Sequence, residues 1–289
     1  MKYIYPKLMG KDLLFMRLGG NGLANSMLVT ARASVICNKI GGVCLLRPTW
    51  ERFSPSQYLK REKDKRTYRN LFKGSTLVAT AKKIKVLLTN RKYTEAQFSE
   101  FEKADKGVLI VEGFVWSASP YKYLAQNYSV VCNYFNNNMS PKALKHLEGY
   151  DFSDTVAVHV RLGDYKKMNG LITQVDWYVN IIQRIKIKND KLHFIIFSDG
   201  EDEELHPILQ IKGTQRVFFG NALADIVAMS RCRIIIGSSS SFSAWGAFLG
   251  QVPLIAEKMH FGDVLKDTSK QYFANERNDI DCYLDSIGV

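Results

Sequence analysis

The stretch that decides the fold is Val156-Ala-Val-His-Val-Arg-Leu-Gly-Asp-Tyr165, in the middle of the chain. Its apolar residues recur at every second position, as expected of a β-strand with one face against a core: Val156, Val158 and Val160. His159 and Arg161 fall on the opposite face, and a turn at Gly163 brings Asp164 just beyond the strand. Ligands of open α/β sheets bind outside the carboxyl ends of the strands, which is where these polar residues fall. The strand end is therefore either an anion-binding site or a salt-bridged terminus.

The rest of the chain alternates between strand and helix patterns. Apolar stretches that read as buried strands lie at 12–18, 43–46, 107–112, 193–199, 233–237 and, as the last strand, 252–256. Helical patterns lie between them, at about 27–38, 120–135, 176–188, 222–232 and 244–249. Such alternation predicts an α/β protein with parallel sheet covered on both faces. We place a domain junction after the polar segment 136–141, which gives domains at 1–148 and 149–289.

Two segments between a strand and a helix are suited to phosphate. The first is the glycine-rich run from Gly19 to Ser26, before the first predicted helix. The second is the serine cluster from Ser238 to Ser241, before the helix predicted from Ala244. Hydroxyls and the N–H groups of a helix start bind phosphate oxygens well. Glycines alone can simply make a turn, so the serine cluster is the stronger indication.

Length and composition exclude several classes of protein. The chain has 289 residues, of which 46% are hydrophobic, enough for one large or two modest cores. No run of 18 apolar residues occurs and Met1–Gly10 has no continuous apolar stretch, so we expect neither a transmembrane helix nor a signal peptide. The five cysteines form no C-x-x-C pair and most lie in apolar contexts. They predict buried thiols in a reducing compartment, hence a cytoplasmic location, and argue against a zinc site.

Positive charge is concentrated in one part of the chain. The formal net charge is +12, and residues 60–92 contain twelve Lys or Arg against Glu62 and Asp64, a local net charge of 12 − 2 = +10. A solvated lysine-rich surface is the plain interpretation. Contact with an anionic membrane or a phosphorylated substrate is the functional one. No nucleic-acid-binding motif accompanies the charge, so we expect no nucleic-acid partner.

Five segments together resemble a known family. His159-Val-Arg-Leu-Gly-Asp164 resembles the H-x-R-R-x-D motif of α1,2- and α1,6-fucosyltransferases, most closely the bacterial type of the α1,2-fucosyltransferases, glycosyltransferase family 11. The other segments, in the family's order, are 22–27 (G-L-G-N-Q-M), 113–121 (G-Y-x-Q-S-x-x-Y), 194–200 (F-I-F-S-D-D) and 225–245 (D-L-x-L-M-S-x-C…I-I-A-N-S-T-F-S-W-W). Departures from the family pattern on the donor side are Leu162, Gly200 and Ala244. The resemblance covers about residues 12–262.

The resemblance implies a fold, a donor and a set of site residues. The fold is GT-B-like, with two Rossmann-like domains facing a cleft, the N-terminal one on the acceptor side and the C-terminal one binding the GDP-sugar. The donor is GDP-fucose, transferred with inversion at the anomeric carbon. Two residues would contact the guanine: His159 and Asp225. Four would hold the pyrophosphate, the last of them from the N-terminal domain: Arg161, Ser240, Ser241 and Asn25.

The chemistry calls for charge neutralisation on the departing GDP. The single strict D-x-D, Asp279-Ile-Asp281, lies near the C-terminus and away from every predicted strand end, and we interpret it as a surface pair. We therefore expect no metal and no cofactor, with Arg161 and helix N-termini neutralising the leaving group. Asp164 is the nearest candidate base, but an Asp paired with Arg161 has a lowered pKa and would be a weak one. Asp199 is a weaker candidate, and the phosphate of the departing GDP is a third acceptor for the proton.

The preferred function is an α1,2-fucosyltransferase that builds a bacterial-type surface polysaccharide such as O-antigen. Its expected partners are GDP-fucose, an oligosaccharide acceptor that could be lipid-linked, and peripherally the inner face of an anionic membrane. One alternative is a related GT-B transferase with a different nucleotide-sugar donor or linkage, because three departures lie in donor-side motifs. The other is a non-catalytic module that binds a sugar nucleotide. Turnover of GDP-fucose with an acceptor distinguishes these hypotheses.

Overall fold

A computed structural model describes residues 1–13, 16–48, 68, 70–113, 119–163 and 172–289. The chain divides after Ala143 into two compact units, each with its own parallel sheet. The predicted α/β class is confirmed. The expected boundary, between residues 148 and 149, lies a few residues further along the chain.

Within its described residues, the first unit contains six strands: β1 (Lys2–Pro6), β2 (Lys11–Leu13), β3 (Met16–Leu18), β4 (Cys44–Leu45), β5 (Lys92–Tyr93) and β6 (Gly107–Val111). Four of them form a parallel sheet in the order β4-β1-β6-β5. The other two, β2 and β3, pair with each other in an antiparallel hairpin.

The first strand of this sheet is β1, and the prediction that residues 12–18 form it was wrong. Those residues contribute to the β2–β3 hairpin, where Leu18 is 41% exposed. An apolar run does not reveal which partner a strand will find. The pattern of β1 is short and is flanked by Lys2 and Pro6, yet its Ile4 is fully buried at the centre of the sheet.

The helices of the first unit are α1 (Leu23–Ile40), α2 (Thr76–Thr89), α3 (Phe98–Lys103), α4 (Pro120–Ala125) and α5 (Tyr128–Asn138), and α6 (Pro141–Leu144) spans the division. Helix α1 begins four residues before the predicted Met27, with Gly22 as its N-cap. The single helix predicted over 120–135 is two helices, α4 and α5. Successive residues of β1 pack on opposite sides of the sheet. Ile4 packs in one cluster with Ala33 of α1, and Tyr5 packs in another with Val86 of α2.

The described part of the second unit contains one parallel sheet of six strands: β7 (Thr155–Val160), β8 (His193–Ser198), β9 (Thr214–Arg216), β10 (Ile234–Gly237), β11 (Leu254–Ala256) and β12 (Gln271–Phe273). Their order is β12-β11-β10-β7-β8-β9. The helices are α7 (Val175–Lys188), α8 (Asp202–Leu209), α9 (Ala222–Met229), α10 (Ser241–Gly250) and α11 (Ile280–Ser286). Short 3₁₀ turns lie at Glu95–Gln97, Lys145–Leu147 and Thr268–Lys270.

The core of this unit is built on β7, as the alternating valines predict. Val156, Val158 and Val160 are fully buried and share one cluster with four side chains of α7: Tyr178, Ile181, Ile182 and Ile185. Because β7 lies between β10 and β8, its carboxyl end is flanked by the carboxyl ends of two other strands. The strand that carries the candidate residues is therefore near the middle of the sheet.

Two predictions for the second unit need correction. The strand β11 is not the last, since β12 pairs with it at the edge of the sheet. Helix α10 begins at Ser241 rather than at Ala244, because the Ser240 hydroxyl caps it by accepting a hydrogen bond from the Phe242 N–H. The last two serines of the cluster are thus the N-cap and the first residue of a helix. No helix in the described part of the chain is both long and apolar enough to cross a membrane.

Candidate functional site

An ion pair lies at the carboxyl end of β7. The Arg161 guanidinium Nη1 is 2.5 Å from Oδ2 of Asp199, which follows the neighbouring strand β8. The Asp199 side chain is only 2% exposed, whereas that of Arg161 is 23% exposed. The other carboxylate oxygen, Oδ1, accepts the backbone N–H of Leu162 at 2.9 Å. Asp199 therefore fixes both the arginine side chain and the backbone that follows it, as expected of a positioning residue.

The surrounding backbone is shaped to admit that carboxylate. A Cβ on Gly163 would lie 2.1 Å from Asp199 Oδ2, so only glycine permits this approach. Ser198 also ties the two strand ends together, because its hydroxyl donates to the Val160 carbonyl at 2.7 Å and accepts the Gly200 N–H at 3.0 Å. The ends of β7 and β8 thus form one hydrogen-bonded unit that holds Arg161.

Two of the departures from the family pattern are in contact. A Cβ on Gly200 would lie 2.6 Å from Leu162 Cδ1. The Leu162 side chain is 5% exposed and belongs to the core cluster of β7 and α7. Position 162 therefore points into the core, and the absence of a side chain at position 200 leaves room for Leu162.

His159 lies on the other face of β7, against β10 and α10. It is 5% exposed, its Nδ1 is 3.2 Å from the Ser238 hydroxyl, and its ring stacks on Phe242 with centroids 5.1 Å apart. The register explains the contact, since Gly237 is paired with His159 and the Ser238 N–H donates to the His159 carbonyl. The predicted placement of His159 opposite the valines is confirmed. Its contact with guanine stays a prediction.

Ser240 and Ser241 lie at the start of α10, next to this histidine. They are 5% and 8% exposed, and the helix behind them is packed so closely that Ala244 and Trp245 are fully buried. The N-terminus of a helix carries a partial positive charge of about half a unit, which favours an anion. The position of the pair, one strand away from Arg161, fits the predicted pyrophosphate site without testing it.

Sequence reasoning missed His260, four residues beyond the end of β11. The Ser239 hydroxyl makes a short hydrogen bond with His260 Nδ1, and the His260 backbone N–H donates to the same hydroxyl at 3.0 Å. Burial and the nearby Lys258 lower the pKa of His260, which favours the neutral ring. No motif contains this residue; it comes to the carboxyl edge because β11 pairs with β10.

Asp225 is completely buried in α9. Its Oδ1 accepts the Phe219 N–H at 2.9 Å, which holds the loop before the helix. Phe219 packs against Phe197 of β8, with centroids 6.2 Å apart, so the aspartate supports the sheet's carboxyl edge from the side. A guanine contact for Asp225 stays a prediction beside this structural role.

The remaining predicted residues lie elsewhere or outside the described part. Asn25 is half-buried near the start of α1 in the first unit. Asp164, the predicted base, lies outside the described residues, as do 114–118 of the aromatic segment and most of the basic stretch 60–69. The two aspartates of the D-x-D are each engaged by an arginine, Asp279 by Arg277 at 2.7 Å and Asp281 by Arg184 at 2.6 Å. Among the described residues, no cluster of three His, Cys, Asp or Glu side chains could hold a metal ion.

The sequence is similar to one family model and to one curated relative. Residues 134–259 match the model of Glycosyl transferase family 11, a range that contains the segments 159–164, 194–200 and 225–245. Over 176 residues the chain is 26% identical to the alpha-1,2-colitosyltransferase of Escherichia coli. That alignment covers 57% of this chain and 60% of the relative, so the chain spans about three fifths of that protein's length. The family resemblance inferred from the motifs is confirmed.

Solved structures with a similar fold are glycosyltransferases. The NodZ alpha-1,6-fucosyltransferase of Bradyrhizobium, in a crystal soaked with GDP-fucose, aligns with a TM-score of 0.52 and 13% identity over 87% of this chain and 93% of that one. The Escherichia coli heptosyltransferase WaaC with ADP aligns with a TM-score of 0.50 and 9% identity over the whole of both chains. At these identities the likeness concerns the fold alone, and it confirms the expected GT-B type.

Proposed function

We propose that this chain, which matches glycosyl transferase family 11 over residues 134–259, is an inverting fucosyltransferase. It would transfer L-fucose from GDP-fucose to a hydroxyl, O2 of a galactose, on a surface polysaccharide such as O-antigen. The observation that carries the proposal is the Arg161–Asp199 pair at the carboxyl end of β7, beside the capped N-terminus of α10. A buried carboxylate that orients a partly exposed guanidinium prepares it for a second, anionic partner.

The proposed reaction places negative charge on the departing GDP. Arg161 would donate N–H groups to the pyrophosphate, and a guanidinium has five such donors, of which Asp199 engages one side. Because the ion pair has no net charge, the N-terminus of α10 with Ser240 and Ser241 would supply the additional attraction. His159 and Asp225 would contact the guanine. Asn25, from the N-terminal domain, would reach the pyrophosphate.

The attacking hydroxyl must lose a proton as the glycosidic bond forms. Asp164 is the carboxylate that we propose for this step, with the phosphate of the departing GDP as the other acceptor. Asp199 is poorly suited to it, since its side chain is 2% exposed and both oxygens are engaged, by Leu162 and by Arg161. No metal or cofactor is needed in this scheme, because protein groups neutralise the leaving group.

A second donor sugar besides fucose has support from the comparison with a curated relative. The curated relative is, by its name, a colitosyltransferase, so a nucleotide-activated colitose is the first alternative donor. The contact between Leu162 and Gly200 argues that these two departures lie in the core and do not themselves change the donor pocket. GDP-fucose therefore stays the preferred donor, with a different donor or linkage as the alternative.

A donor and acceptor screen tests the proposal directly. Purified protein is incubated with GDP-fucose, other nucleotide sugars and galactose-terminated acceptors; GDP release is followed, and product linkage is read by NMR. We expect GDP release that depends on acceptor and an α1,2 linkage to galactose. Binding of GDP-fucose without acceptor-dependent release would favour the non-catalytic sugar-nucleotide module, and release from another donor alone would assign a different transferase.

The acceptor and the location complete the proposal. We propose an oligosaccharide acceptor carried on a lipid, and a cytoplasmic protein that lies peripherally on the inner face of an anionic membrane. The support is the +10 charge between Lys60 and Lys92 in a chain whose total is +12. A sugar chain anchored in lipid would be presented at that surface.

A further inference from the structure

Helix α2 in the first unit exposes more large apolar side chains than it buries. Leu77 is 66% exposed, Val78 69% and Leu88 79%, whereas Val86 is the only large apolar residue of the helix that is buried. Helix α7 of the second unit shows the ordinary pattern: it buries four large side chains and exposes only Ile187. Burial against the described residues therefore does not account for three of the apolar residues of α2.

These residues form one continuous surface. At 100° per residue, the exposed positions of α2 fall within an arc of about 140°. We call this arc the α2 face; its members are Leu77, Val78, Ala81, Lys82, Lys85, Leu88 and Thr89. Leu77 and Leu88 are eleven residues apart, so the apolar part extends about 16 Å along the helix axis. The opposite side of the helix is anchored to the sheet through Val86 and the buried Lys83.

The stretch of sequence that contains α2 carries charge of a single sign between residues 65 and 94. From residue 65 to residue 94 the sequence contains nine Lys or Arg and no Asp or Glu. Lys82 and Lys85 lie on the face itself, and the nearest acidic side chain on the C-terminal side, Glu95, is paired with Arg32 of α1. A surface that combines large apolar side chains with exposed lysines is complementary to an anionic, amphiphilic partner.

We propose that the α2 face docks on the surface of an anionic lipid bilayer. Leu77, Val78 and Leu88 would enter the boundary between headgroups and acyl chains, while Lys82 and Lys85 reach the lipid phosphates. The helix is already packed on its sheet through its other side, so docking needs no unfolding. The proposal makes the proposed peripheral location specific to one helix, and it does not depend on which sugar the protein transfers.

Co-sedimentation of the full chain with vesicles tests the proposal without an activity measurement. Vesicles of phosphatidylcholine alone are compared with vesicles that also contain phosphatidylglycerol. Lys82→Glu/Lys85→Glu should weaken binding to the anionic vesicles about 30-fold or more, given the usual contribution of each lysine near such a surface. Leu77→Ser/Leu88→Ser should weaken it about tenfold or more, because two leucines no longer leave water.

Matched controls come from the second unit. Ile187→Ser removes an apolar residue that is 85% exposed, and Lys191→Glu/Lys212→Glu reverses two exposed lysines, so both reproduce the chemical change at another place. Both controls should bind like the unaltered chain. Equal loss in the controls and in the α2 variants would overturn the proposal in favour of a general charge effect.

Two other outcomes would also overturn the assignment. If the unaltered chain forms a dimer by light scattering that Leu77→Ser/Leu88→Ser abolishes, and vesicle binding is unchanged, the α2 face is an interface between copies of this chain. If that variant instead unfolds at a markedly lower temperature, again with unchanged vesicle binding, another part of the chain covers the face. Loss of transferase activity without loss of vesicle binding would leave the docking surface intact and count only against the proposed reaction.

Discussion

Replacing Arg161 by alanine should have two separable effects, one on catalysis and one on stability. Loss of a preorganised electrostatic contact to a leaving group typically lowers the rate about 10²–10³-fold, so we expect that fall in kcat/KM for GDP-fucose. The structure adds a second effect, because the variant leaves the Asp199 carboxylate buried with only the Leu162 N–H as a partner. Breaking a buried pair in this way costs several kcal/mol; since Arg161 is 23% exposed, we expect about 2–3 kcal/mol.

The double variant Arg161→Ala/Asp199→Asn separates the two effects. Removing the unpaired charge should recover about half or more of the lost stability, while kcat/KM should stay as low as in the single variant. In the second unit, of ordinary domain size, 2–3 kcal/mol corresponds to a fall in Tm of about 5–10 °C. Arg161→Lys should restore little activity, because an ammonium cannot reproduce the planar geometry of the guanidinium.

Thermal unfolding and initial rates of GDP release are measured for four proteins. These are the unaltered chain, Arg161→Ala, Arg161→Lys and Arg161→Ala/Asp199→Asn. Arg184→Ala is the matched control, since Arg184 forms an exposed ion pair with Asp281 and should lower neither quantity much. A folded Arg161→Ala enzyme with near-normal kcat/KM would show that the end of β7 is not the donor site. A double variant no more stable than Arg161→Ala would refute the structural role of Asp199.

Four further outcomes are expected. Gly163→Ala should displace the Asp199 carboxylate, because the alanine Cβ would lie 2.1 Å from Asp199 Oδ2. We expect the fold to be destabilised by about 1–3 kcal/mol and kcat/KM to fall. Crystal or NMR evidence of an undisturbed carboxylate in this variant would contradict the expectation. Turnover should survive EDTA, and activity that is lost in chelator and restored by Mn²⁺ or Mg²⁺ would refute the metal-independent scheme. The pKa of His260 is lowered from 6.5 in the folded chain, so the unfolded chain binds the proton more readily. The free energy of unfolding should therefore fall slightly as the pH drops below about 6.5. Melting curves recorded over this pH range should lose that dependence in His260→Gln. Burial raises the pKa of Cys232 to about 12, so mass spectrometry after iodoacetamide treatment of the folded chain at pH 8 should find Cys282, which is exposed, labelled and Cys232 unlabelled.

The sequence was most informative where a pattern repeats within one strand. The alternation of Val156, Val158 and Val160 predicted β7 and the face that packs on α7, because successive side chains of a strand point to opposite faces. It did not predict that the other face, with Ala157 and His159, is buried as well. The same reasoning failed at residues 12–18, since an apolar run in a hairpin looks like one in a central strand. Sequence pattern reports burial, whereas pairing depends on residues far away in the chain.

The partner of Arg161 illustrates the same limit. Asp164, its neighbour in sequence, was expected to pair with it and lies outside the described residues, whereas the structure shows a partner that sequence reasoning did not foresee, Asp199. Aligning the two strand ends would have indicated this, because Val160 is paired with Ser198 and the next residues face each other. No sequence pattern indicated that His260 would lie at the carboxyl edge of the sheet. Its position depends on the path of the chain after β11, which no periodicity predicts.

The contact between Leu162 and Gly200 has a consequence for exchanging residues between this chain and the proteins it resembles. An arginine restored at position 162 would bring a charge into the core of β7 and α7, with no carboxylate at position 200 to meet it. An aspartate restored at position 200 would collide with the Leu162 methyl group, 2.6 Å from the new Cβ. Each of these single changes is therefore expected to be harmful, and an exchange of donor-side motifs with a similar protein has to transplant both residues at once.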